Sequence, residues 1–266
     1  MKQYKEIIYE KKDGVAIITL NRPDRLNAIG WSMRLELPEA IEDVQRDANI
    51  RVLILTGVGR GFSAGGDVKG QLDRAQGKVP EEVIRAELQE PVGGFASTIH
   101  NMAKPTIAAV NGVAVGAGLS LALLCDLRIA SEEARFSVRF TQAGLSSDTG
   151  LSYSLPKIVG MSKALELMLL NDLIDAQEAE RIGLVNKVVP ANDLMKVAKE
   201  IARKLADSAP LATQMMKQVA YLGFTNNLED QLRVESDAVQ RCQKSQDHRE
   251  AAQAFLEKRA PIFKGM

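Results

Sequence analysis

Pro105-Thr-Ile-Ala-Ala-Val-Asn-Gly-Val-Ala-Val-Gly-Ala-Gly-Leu-Ser-Leu-Ala-Leu-Leu-Cys125 carries no charged side chain and is long enough to match a membrane span. Its punctuation argues against one. Pro105, Asn111, Gly112, Gly116 and Gly118 divide the stretch into a short β-branched run, a tight turn and a leucine-rich segment. The pattern predicts a buried strand over 106–110, a glycine-rich turn, and a buried helix through Leu119, Leu121, Leu123 and Leu124. A strand apolar on both faces that feeds a helix belongs in a parallel sheet covered on both sides, which makes the fold class α/β.

The flanking sequence agrees. Residues 7–9 and 15–20 read as paired strands around the turn at Lys12-Asp13-Gly14. Leu37, Ile41 and Val44 recur at helical spacing, and Val52-Leu-Ile-Leu-Thr56 is a second compact buried strand. Beyond about residue 150 the patterns are mostly helical, over 162–170, 176–182, 193–205, 211–221 and 228–242. Apolar stripes with few strands to cover predict a C-terminal helical lobe that packs on another lobe or another subunit. The expected division is a core over 1–200 and a lobe over 201–266. The polar run 76–80, which ends in proline, is expected to be a mobile loop.

Bulk properties narrow the function classes. Lys plus Arg and Asp plus Glu both number 34, and no basic tract of the kind that follows a phosphate backbone occurs, so nucleic acid is a poor partner. Two cysteines, Cys125 and Cys242, and two distant histidines, His100 and His248, give neither a disulfide framework nor a metal-ligand cluster. The mixed-charge start, Met1-Lys-Gln-Tyr-Lys-Glu, lacks the apolar core of a secretory signal. A cytoplasmic protein without membrane attachment or bound metal is expected.

Two glycine-rich turns follow predicted strands: Gly57-Val-Gly-Arg-Gly-Phe-Ser-Ala-Gly-Gly-Asp67 and Asn111-Gly-Val-Ala-Val-Gly-Ala-Gly118. Either alone is best read as a tight turn. Both at the C-terminal edge of one sheet would face a shared crevice, where small residues let a ligand approach the main chain. Neither matches the dinucleotide or Walker patterns.

These segments, with Asn21-Arg-Pro-Asp-Arg-Leu-Asn-Ala28, Lys104-Pro-Thr-Ile-Ala-Ala-Val-Asn-Gly112 and Ala179-x-x-x-Gly183-Leu-Val, resemble the successive signatures of the crotonase, or enoyl-CoA hydratase/isomerase, superfamily. The resemblance covers nearly the whole chain. It implies a crotonase-like ββα spiral core and an acyl-coenzyme A thioester as substrate, with no cofactor beyond the coenzyme A of the substrate itself. It further implies an oxyanion hole from the backbone N–H groups of Gly66 and Ala117, and coenzyme A contacts from Arg25 and from Ala64, Gly65, Asp67 and Val68. Phe263 and Lys264 resemble the family's contact from a neighbouring subunit, and the implied assembly is a homo-oligomer, a trimer or a dimer of trimers.

The reaction is less constrained, since this scaffold hosts many. Hydration in the family resembles a two-glutamate mechanism, and those positions hold Ser120 and Phe140 here. The remaining carboxylate is Asp148, in Gly144-Leu-Ser-Ser-Asp-Thr-Gly150. Local sequence makes it a helix N-cap. The resemblance makes it the acid/base of a double-bond isomerase, as in the isomerases of phenylacetate degradation, with Phe140 and Leu145 supplying an apolar setting. One alternative is chemistry like that of 4-chlorobenzoyl-CoA dehalogenase, or hydration, on an aromatic or alicyclic thioester. Against dehalogenation, Gly93 stands near the position of its histidine, Phe140 replaces its tryptophan, and His100 is off register. The other alternative is a non-catalytic acyl-CoA-binding subunit. Met33, Leu88, Phe95 and Phe140 are candidates for the acyl pocket, although apolar residues at helical spacing more often belong to a core; of the four, Phe140 is taken as a binding residue.

Overall fold

The computed structural model describes residues 3–89 and 94–266. The expected hairpin is present: β1 (Ile7–Lys12) pairs antiparallel with β2 (Val15–Leu20), with Lys12 opposite Val15. Helix α1 (Trp31–Arg46) follows, and its buried Met33, Leu37, Ala40, Ile41 and Val44 form the 3.6-period stripe read from the sequence.

A repeating unit of long strand, short strand and helix then begins. It runs from β3 (Val52–Gly57) and β4 (Gly61–Ser63) to α2 (Val68–Ala75), followed by α3 (Glu81–Gln89) and α4 (Phe95–His100). The next unit is β5 (Thr106–Val110), β6 (Val113–Val115) and α5 (Ala117–Leu123). The uncharged stretch is therefore two strands and a short helix, and among the described residues no helix is long and apolar enough to cross a membrane. A third unit, β7 (Leu127–Ser131) and β8 (Arg135–Ser137), leads to α6 (Leu151–Val159) and α7 (Met161–Leu170). Finally β9 (Ile174–Asp175), α8 (Ala176–Arg181) and β10 (Lys187–Val189) close the spiral.

The long strands form one sheet in the order β1-β2-β3-β5-β7-β10, parallel from β2 onward. The short strands form a second, β4-β6-β8-β9, in which only the β8–β9 pair is antiparallel. Strand alternation divides the core in two. Leu53, Leu55, Ala108, Val110 and Ala130 face the larger cluster between the sheets, while Val52, Ile54, Ile107, Ala109 and Ile129 face α9 (Leu194–Ala206). Leu194, Ala198, Ala202 and Ala206 recur every fourth residue on α9, so mostly methyl groups meet the sheet and the helix lies close.

The expected boundary at 200/201 falls inside α9. Three helices stand beyond the sheet: α10 (Pro210–Leu222), α11 (Leu228–Gln243) and α12 (Gln246–Leu256). Their exposed faces include Met216, Leu228, Leu232, Val239, Phe255 and Leu256. The tail folds back onto the chain. Buried Asp247 accepts the N–H groups of Lys264 and Gly265 at 2.7 and 2.8 Å, and Arg51 donates to the Phe263 carbonyl at 2.9 Å.

Candidate active site

The two glycine-rich turns meet as the sheet geometry predicts. Residue 66 forms an isolated parallel bridge with Ile29, made by Ile29 N–H to Gly65 C=O (2.7 Å) and Asp67 N–H to Ile29 C=O (3.2 Å). In such a bridge the N–H of the central residue, Gly66, points away from its partner. Ala117 opens α5, so its N–H has no acceptor one turn back. Among the described residues neither amide donates to a protein acceptor. Gly65, at φ 92, lies so close to the second turn that a β-carbon there would stand 2.7 Å from Val115 O and 3.4 Å from Ala117 N. A β-carbon on Gly118 would likewise collide with Ser63 O. The two turns are thus locked together through main-chain atoms.

The flanking residues support this frame. Ala64 N–H donates to Leu26 C=O (2.8 Å) and Ser63 Oγ to Asn27 C=O (2.9 Å), so the segment after Arg25 braces the segment 64–68. Arg25 itself is two-thirds exposed and, among the described residues, reaches only Asp24, at 3.8 Å. Asp67 caps α2 by accepting from Lys69 N–H and pairs with Arg22 at 2.8 Å. Burial alone would raise its pKa, but the Arg22 hydrogen bond and charge, with the N–H groups of Lys69 and Gly70, outweigh it and hold the carboxyl below its ordinary value. Val68 is exposed.

Beside this frame lies a cavity of about 700 Å³, walled by α1, α2 and the loop before α6. Asp148 lies in its wall with Leu145, Trp31, Arg34, Gln71, Arg74 and the capping Asp67. The helix-cap reading of Asp148 does not hold. The cap position of α6 is Gly150, with no side-chain bond to the helix, and the Asp148 carboxylate instead accepts from Thr149 Oγ1 at 2.9 Å. Thr149 and Gly150 are both left-handed, at φ 53 and 76, and this double turn carries the carboxylate away from the helix. A β-branched residue in that conformation is a strained outlier of the kind that clusters at functional sites.

Ser120 and Phe140, at the two glutamate positions, are both buried. The Ser120 hydroxyl lies 3.2 Å from Gly116 O and 3.3 Å from Asp148 O, so it ties α5 to the loop bearing the aspartate. Phe140, expected as a pocket residue, belongs to the core together with Met33 and Phe95; its carbonyl anchors the 143–145 turn. Leu145 is 45% exposed and Asp148 is exposed, so the two expected apolar neighbours do not enclose the carboxylate within one chain. The Leu88 side chain and Gly93 lie outside the described residues.

Two further expectations are placed elsewhere. His100 stacks edge-on against Tyr153 and Tyr221, at 5.2 and 5.0 Å, in a separate apolar cavity between α10 and the core. Burial, and then the charges of Lys217 and Lys157, lower its pKa below 6.5. It is not a base for Asp148. Phe263 and Lys264 sit with Arg51, at the end of β3 opposite the glycine turns, so they do not reach the cavity of their own chain. Trp31, Arg34, Gln71 and Arg74 went unread in the sequence. The signal was the placement of Trp31 and Arg34 in the first turn of α1, next to the buried Met33.

Comparison with known proteins agrees with this geometry. The family model described as enoyl-CoA hydratase/isomerase matches residues 10–266. A 1,2-epoxyphenylacetyl-CoA isomerase from Escherichia coli K12 is 37% identical over 97% of this chain and 98% of its own. A short-chain-enoyl-CoA hydratase from Clostridium acetobutylicum is 38% identical over 95% of each. The crystal structure of an enoyl-CoA hydratase from Bacillus anthracis superposes with a TM-score of 0.90 at 34% identity, over 98% of this chain and all of that one. With the spiral of paired strands and the locked glycine turns, these matches establish that the chain belongs to the enoyl-CoA hydratase/isomerase family, the crotonase superfamily.

Proposed function

We propose that this enzyme moves a carbon–carbon double bond within an enoyl-CoA thioester, with Asp148 as its single acid/base. One observation carries the reading. Of the two carboxylates in the cavity wall, Asp67 is taken up by Arg22 and by its own helix, whereas Asp148 accepts only from the adjacent Thr149 among the described residues. The thioester carbonyl oxygen lies between the N–H groups of Gly66 and Ala117. Asp148 removes a proton from the α-carbon of a 3-enoyl thioester, and the electron pair moves onto that oxygen. The same carboxyl then returns the proton at the γ-carbon, giving the 2-enoyl thioester. One carboxylate suffices, while Ser120 and Phe140 leave no second one for the two-glutamate hydration. Each oxyanion donor is worth ~10²–10³ in rate, and the positioned base ~10²–10⁴.

The nucleotide end of coenzyme A lies along Arg25 and Ala64, Gly65, Asp67 and Val68. Phe263 and Lys264 serve a neighbouring subunit in a trimer or dimer of trimers, and α10–α12 supply the contacts. The apolar side chains exposed on those helices support this arrangement.

The test is incubation of the purified protein with a 3-enoyl-CoA in deuterated water. Formation of the 2-enoyl-CoA is expected, carrying deuterium only to the extent that the Asp148 carboxyl exchanges its proton with solvent before returning it, with Asp148→Asn slowing conversion ~10²–10⁴-fold while thioester binding persists. Conversion of a 2-enoyl-CoA to the 3-hydroxyacyl-CoA at a higher rate would identify a hydratase instead.

A further inference from the structure

The cavity that holds Asp148 has a second chemical character. Arg34 lies in its wall, half-buried, and makes no ion pair or side-chain hydrogen bond among the described residues. Arg74 lies in the same wall, its guanidinium 5.0 Å from the centre of the Trp31 ring. The Trp31 ring in turn packs on α2 at Gly70, where a β-carbon would meet it at 3.5 Å. Gln71 adds an amide to this side, its nitrogen close to Gly66. The carboxylates of the wall do not pair with Arg34. Asp67 is held by Arg22, and Asp148 lies beyond ion-pair distance of Arg34. A half-buried guanidinium without an anion is an unfavourable feature of an acyl pocket unless the ligand brings the anion.

We propose that the acyl group this enzyme takes carries a second, distal carboxylate, received by Arg34. The substrate class is then the monothioesters of dicarboxylic acids. Arg34 is a specificity-determining residue, with Trp31 and Arg74 forming the wall beside it. The proposal rests on reading this cavity as the acyl pocket of the proposed reaction, but not on the direction of that reaction. Coenzyme A phosphates are the competing source of anionic charge, and the two sources predict different outcomes.

Trp31 is the sole tryptophan of the chain, so its fluorescence reports binding at this wall without turnover. Titration of the full-length protein with two unreactive saturated thioesters, hexanoyl-CoA and the monothioester of hexanedioic acid, separates the cases. The hexanedioyl thioester is expected to bind ~10-fold or more tightly, the range of a charge-assisted hydrogen bond. In Arg34→Gln the ratio of the two affinities should fall towards 1, and Arg34→Lys should restore part of it. Equal affinities in the wild type would overturn the proposal. So would a ratio that survives in Arg34→Gln while both affinities drop, because the arginine would then be serving the phosphates. Selective binding without isomerisation of the matching 3-enedioyl thioester would leave the proposal standing and sink the proposed reaction.

Discussion

The side chain at 149 shows how closely this site is fixed at the level of one residue. Thr149 holds the Asp148 carboxylate through its hydroxyl while occupying a backbone conformation that a β-branched residue avoids. Replacing it separates the two effects. Thr149→Gly should raise stability by ~1 kcal/mol through relief of strain, and lower kcat because Asp148 loses its restraint. Urea unfolding together with steady-state kinetics checks this; an unchanged kcat would show that Thr149 does not position the proposed base. The neighbouring positions show what local sequence could not convey. An aspartate three residues before a helix reads as a cap, and only the consecutive left-handed turns at 149 and 150 reveal that it is not. Met33, Phe95 and Phe140 read equally well as pocket wall or as core, because hydrophobicity alone does not say which side of a helix meets a cavity.

Among the elements, the junction between β4 and α2 bears the site, and its acidity is measurable. Asp67 has a folded pKa below the ordinary 3.8. Its contribution is therefore complete above about pH 4 and declines as pH falls through the lower folded value. In Asp67→Asn that contribution is absent, so the stability gap between wild type and variant should be constant from pH 7 to about 4 and close below it. Denaturation at a series of pH values reads this directly; a gap that widens on acidification would reverse the assignment. The strands and helices were largely legible, because β3 and β5 are apolar on both faces and α1 and α9 carry regular stripes. The glycine turns were legible as turns. What remained hidden was the packing of α2 against α1, which brings Trp31, Arg34 and Arg74 into one wall and depends on contacts far apart in sequence.

At the scale of the whole molecule, the C-terminal tail is held by one buried carboxylate. Deleting residues 263–266 removes both N–H donors to Asp247 and the carbonyl that Arg51 engages. It should destabilise the chain by ~3 kcal/mol, lowering Tm, and combining the deletion with Asp247→Asn should recover part of the loss. If the truncated chain unfolds with the full-length chain, the tail is not part of the fold's support. The spiral supplies a different sort of constraint at its centre. Because the buried Ser120 touches the main chain of Asp148, a longer side chain at 120 would press on the loop that presents the aspartate. On the proposed reading of Asp148, the two acid placements draw on one shared space, so this scaffold works as a socket that accepts one tool at a time. Changing trade is then expected to require relaying the 141–150 loop as well as placing glutamates at 120 and 140.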